Sequence, residues 1–117
     1  MTASRNVAAY LAAIADAAVK ARGFLGSSTL EQFSADDKTV FAVIRALEVL
    51  GEATKRIPQE FRAQHPEIPW RAMAGIRDKL IHDYVKVNLE TVWKTVNEDL
   101  PTLLPLINRV LSDSESS

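Results

Sequence analysis

Cysteine is absent from this 117-residue chain, so disulfides and thiolate metal sites are excluded and the core must hold by packing alone, as is usual for a cytosolic protein. Histidine occurs only twice, at positions 65 and 82, and no zinc triad can be assembled from so few ligands. Four glycines and five prolines are too few for a linker-rich chain, and no repeat, low-complexity segment or alternating strand pattern is present. Long apolar runs are missing too. None approaches the ~18 residues of a membrane span, and the Ala-rich start carries Asp16 and lacks the basic-then-apolar layout of a signal peptide. A cytoplasmic protein without membrane attachment is expected.

What remains is 47% hydrophobic and 25% charged, the balance of one packed globular domain. The net charge of −1 argues against tight, indiscriminate nucleic-acid binding, which depends on many cations releasing phosphate counterions. Charge is nevertheless uneven. Residues 45 to 94 hold nine basic against seven acidic side chains, whereas residues 95 to 117 hold Arg109 against four acids. Apolar residues from Val7 to Ala21 recur at helical spacing and predict a first helix over 4–22, ended by the stretch from Gly23 to Ser28. Thr29 to Gln32 and Ser34 to Asp37 each fit a capping box. A second long helix is predicted over 36–57, stopped by Pro58.

The proline-rich stretch 58–69 predicts a short helical turn and a loop, with Pro69 at the first position of a third helix opened by Trp70. Asn88 is placed to cap a last helix, in which Pro101 and Pro105 predict a kink or fresh start near Asp99 to Pro101. The pattern is that of an all-α antiparallel bundle of four main helices plus short helical turns, a single domain over 1–111 followed by a disordered tail over 112–117.

Within this apolar framework the run IRDKLIHDYVKV, residues 76–87, concentrates reactive groups. At about 100° per residue, Asp78 and His82 share one helix face, continued towards the helix start by Gly75 and Arg71. Arg77 falls about 140° from His82, so the two meet on one substrate only if the arginine reaches around, the helix deforms or a second protomer contributes. A homodimer is the simplest of these solutions. Such a set suits RNA cleavage without a metal or cofactor. An imidazole can take the proton of a ribose 2′-hydroxyl or protonate the leaving oxygen, and a guanidinium can offset charge developing on the phosphate. Asp78 would then orient or charge-stabilise His82. His65, in the proline-rich loop, is assigned to the surface, and nothing resembles a base-stacking platform that would specify an RNA sequence.

The pattern R-D-x-x-x-H-x-Y, together with ALEVLGEATKRIP before it and DLPTLLPLI after it, resembles the HepT group of the HEPN superfamily over residues 7 to 107. The resemblance implies a homodimeric HEPN bundle that is a metal-independent endoribonuclease, the toxin of a type VII toxin–antitoxin pair whose antitoxin is a minimal nucleotidyltransferase. It implies Arg77 and His82 as catalytic, with Asp78 at the polar position after the arginine. Tyr84 matches the tyrosine to which the antitoxin transfers AMP. Asn88 stands where similar sequences often carry Asp. The competing expectation is a non-catalytic HEPN module that binds nucleotide or protein and scaffolds a nucleotidyltransferase subunit.

Overall fold

A computed structural model describes the backbone of residues 2–82 and 88–116, and the side chains of these except for residues 2–5, 77, 79–82 and 115–116. The chain forms α1 (Thr2–Leu25), α2 (Leu30–Ser34), α3 (Asp37–Lys55), α4 (Gln59–Gln64), α5 (Trp70–His82), α6 (Leu89–Lys94) and α7 (Leu100–Ser116), with a π-helical turn at Thr95–Asp99 joining the last two. Among the described residues there is no strand, and no helix is long and apolar enough to cross a membrane. Taking α6, the π turn and α7 as one broken rod, the four main helices are those of an all-α bundle.

The stripe that predicts α1 is the stripe that is buried: Leu11, Ile14, Ala18, Ala21 and Leu25 are almost completely inaccessible. α1 packs most extensively on α3 and also against α7. Ala17, Ala18 and Ala21 on α1, with Ala46 and Ala53 on α3, are buried at this heart of the bundle, where small side chains let two helix backbones approach closely. α1 runs through Gly23 and stops three residues later than Arg22, at Leu25. The residue that ends it is Gly26, whose φ of +57° is cheap only for glycine and whose N–H donates to the Arg22 carbonyl at 2.8 Å.

The capping box at Thr29 forms as expected, with Gln32 N–H donating to Thr29 Oγ1 at 3.1 Å and Thr29 N–H to Gln32 Oε1 at 2.9 Å. The second box does not. Asp36, not Ser34, caps α3, its Oδ1 accepting from Thr39 N–H at 3.2 Å and its Oδ2 from Thr39 Oγ1 at 2.8 Å. A carboxylate able to take both bonds outcompetes the serine hydroxyl. The Thr39 hydroxyl first, and its backbone N–H second, hold the Asp36 carboxyl below its ordinary pKa of 3.8. The lowered folded value gives a contribution to stability that is present above the ordinary pKa and lost as pH falls through the folded one.

Pro69 also stands one place earlier than expected. Trp70 begins α5 and the Pro69 carbonyl accepts from Met73 N–H at 3.0 Å, so Pro69 occupies the cap position itself. The kink expected near Asp99 is realised as a π turn, in which Leu100 N–H reaches back five residues to the Thr95 carbonyl. The wider turn resets the helical register just before Pro101, whose missing donor and ring would otherwise burden the turn before it. α7 continues as helix to Ser116, through residues 112–116 that the sequence assigns to the tail.

Asn88 caps α6 as expected, its Oδ1 accepting from Thr91 N–H at 3.2 Å. Replacing it by alanine should cost about 1 kcal/mol of stability, read from denaturant midpoints, whereas Asn88→Asp should cost far less because the carboxylate makes the same bond.

Candidate functional site

α5 positions the sequence motif, and its placement in the bundle follows from two buried anchors in its first half. Trp70 is 6% exposed and donates its indole N–H to the His65 carbonyl at 2.9 Å, while Met73 is buried beside it in the helix register. His65 is therefore more than a surface residue. It is half-buried, its ring lies 4.6 Å from the Phe61 ring between centroids, and its carbonyl holds the start of α5.

From these anchors the helix carries backbone positions 71, 78 and 82 along one side, while position 77 falls about 140° from position 82, towards the side of Trp70 and Met73. Arg77 and His82 thus take places in the α5 backbone, with their side chains outside the description, and Tyr84 lies outside the described residues. Asp78 is described and exposed. Its Oδ1 accepts from Lys55 Nζ on α3 at 2.8 Å, which links the motif helix to the end of its main packing partner.

Lys55 is the residue that sequence reasoning missed. It counts among the basic side chains, but its pairing spans 23 positions and depends on how two helices cross, which no local spacing encodes. The bridge is half-exposed on both sides, 40% for Lys55 and 54% for Asp78, so its stabilisation is on the order of 0.2–1 kcal/mol. Its larger consequence is electrostatic, because it offsets a carboxylate charge on the face that carries His82.

Two concavities flank α5. The larger, about 810 Å³, lies between α5 and the α6–α7 rod, with Met73, Val92, Leu100 and Leu103 at its floor and Ile76 and Leu106 on its walls. Gly75 borders it, and a Cβ built there would meet nothing within 4 Å among the described residues. The smaller, about 660 Å³, lies between α4 and the first turn of α5.

An all-α bundle whose third main helix carries the positions of Arg77, Asp78 and His82 defines a class of small helical proteins, and comparison with known proteins identifies the family. The model of the HepT-like ribonuclease family matches residues 14–110, and this chain belongs to that family, whose place in the HEPN superfamily fits the helical bundle. Among its relatives is "Probable ribonuclease HepT" of Thermococcus cleftensis, 54% identical over 94 residues that make up 80% of this chain and 86% of that one. A second, "Putative RNase MJ0127" of Methanocaldococcus jannaschii, is 39% identical over 111 residues, covering 95% of this chain and 92% of that one. "Gamma-glutamylcyclotransferase and putative RNase MJ0434" of the same organism is 32% identical over 97% of this chain but only 51% of its own length. No solved structure matches the chain.

Proposed function

We propose that this protein is a metal-independent endoribonuclease and the toxin of a type VII HEPN/nucleotidyltransferase toxin–antitoxin pair. The observation that carries the reading is membership of the HepT-like ribonuclease family together with an intact Arg77, His82 and Tyr84 on the sequence run that the family resemblance singles out. In the proposed reaction a ribose 2′-oxygen loses its proton to an imidazole and attacks the adjacent phosphorus. The bond to the 5′-oxygen breaks, and that oxygen takes a proton from an imidazolium, leaving a 2′,3′-cyclic phosphate and a 5′-hydroxyl. Arg77 offsets the negative charge that builds on the phosphate, and Asp78 orients His82.

One His82 cannot be base and acid in the same step, and one helix holds positions 77 and 82 about 140° apart. Two copies facing each other across α5 supply two imidazoles and two guanidiniums to one cleft. The packing of α5 mainly on α3, and the apolar groove along its other side, favour a homodimer closed over this helix.

Control is assigned to Tyr84. Its phenolic oxygen attacks the α-phosphorus of ATP on a minimal nucleotidyltransferase antitoxin, pyrophosphate leaves, and the resulting AMP ester places bulk and a phosphate two residues from His82, competing with RNA for Arg77. The test is incubation of purified protein with ATP and a minimal nucleotidyltransferase of the HepT-pairing type. Wild type should take up labelled AMP and lose RNA cleavage, and Tyr84→Phe should do neither; label incorporated equally by Tyr84→Phe would reject the assignment.

A further inference from the structure

The smaller concavity beside α5 gathers positive charge that neither the motif nor the family match uses. Its lining includes Gln59, Arg62, Trp70 and Arg71, and no carboxylate is among the described residues that line it. Arg62 is half-buried and fixed in place: its Nε donates to the Ile57 carbonyl at 3.1 Å and its Nη2 to the Thr54 carbonyl at 2.8 Å. Those bonds use two of the five guanidinium N–H donors and hold the others in a set orientation, so little side-chain entropy remains to be lost when an anion arrives. Arg71 is exposed and makes no ion pair with a described residue. Two guanidiniums sharing one open hollow without a counter-charge favour an anion there.

Position in the fold says which anion. Arg71 precedes Asp78 by seven residues, two helical turns, so it lies on the same face about 10.5 Å away, and position 82 continues that face. A bare Asp78 carboxylate would repel a polyanion laid along this route, and Lys55 at 2.8 Å offsets that charge. The hollow is open rather than enclosing, which suits a strand passing over it better than a small molecule sealed within it. We propose that Arg62 and Arg71 form a flanking phosphate subsite that holds the backbone of single-stranded RNA beside the cleavage motif, an inference that rests on the ribonuclease reading.

The experiment measures binding of a single-stranded oligonucleotide with 2′-O-methyl riboses, which cannot be cleaved, to wild type, Arg71→Gln and Arg109→Gln across a salt series, alongside cleavage of unmodified RNA by wild type. Arg109 is an exposed cation on α7 and controls for loss of one net charge. Arg71→Gln should weaken binding about five-fold and flatten the logarithmic salt dependence by about 0.7, the share of one phosphate contact on a single strand, while Arg109→Gln leaves both unchanged. Arg71→Lys should recover most of the salt dependence, since the charge is kept. If wild type cleaves RNA but Arg71→Gln binds like Arg109→Gln, the subsite is overturned and the ribonuclease reading stands. If wild type neither binds nor cleaves RNA, both fall.

Discussion

His82→Ala should lower RNA cleavage by about 10²- to 10⁴-fold, the span that a positioned proton donor or acceptor contributes, while leaving helical content and oligomeric state as in wild type. The separation of effects is the informative part. Position 82 lies twelve residues after the buried Trp70 that anchors α5 in the bundle. The mechanism assigns the His82 imidazole to proton transfer, so its removal should be read in cleavage and not in folding. A His82→Ala protein that unfolds, or one that cleaves RNA at the wild-type rate, would remove His82 from the mechanism. Far-ultraviolet circular dichroism and gel filtration beside the cleavage assay distinguish the two failures.

Phe33→Ala should destabilise the fold by about 3–5 kcal/mol, the range for deleting a fully buried aromatic ring, which is a large part of the roughly 5–15 kcal/mol that holds a domain together. Phe33 is fully buried although it sits on a helix of only five residues, α2, which packs on both α3 and α6. So short a helix cannot persist on its own propensity, and the ring is what fastens it. Nearby, Trp93 on α6 donates its indole N–H to the Ser28 carbonyl at 3.0 Å, a second tie between the last rod and the turn that follows α1. Losing the ring should therefore loosen the α1–α3 connection and the α6 end together. Urea unfolding followed by tryptophan fluorescence measures this, and a loss below about 1 kcal/mol would mean that α2 is peripheral.

The bundle was legible because its signals are local. Helical spacing from Val7 to Ala21 marks the face of α1 that is buried, the Thr29 box forms, and Asn88 caps α6. Boundaries were less legible where two local solutions compete. Gly23 and Gly26 both look like helix stops, and only the left-handed backbone at Gly26 decides between them. Ser34 and Asp36 both look like caps, and the choice turns on which one reaches Thr39 with two acceptors.

The site divides in the same way. Arg77, Asp78, His82 and Tyr84 could be singled out because they are close neighbours in sequence. Lys55 and Arg62 could not. Lys55 joins Asp78 across two helices, and Arg62 turns towards the end of α3 to bond the Thr54 and Ile57 carbonyls, arrangements that exist only once the chain has folded. His65 shows the converse case, an isolated polar residue in a proline-rich loop whose backbone carbonyl, rather than its ring, holds Trp70 in place.

The most direct test of the central claim is cleavage of single-stranded RNA by chelator-treated wild-type protein and by Arg77→Ala, with the ends of the fragments identified. The account predicts that wild type alone cuts, leaving 2′,3′-cyclic phosphate and 5′-hydroxyl ends, and that Arg77→Ala leaves the RNA intact. RNA untouched by wild type, or cut equally by both proteins, would contradict it and make the chain a binding or scaffolding member of its family.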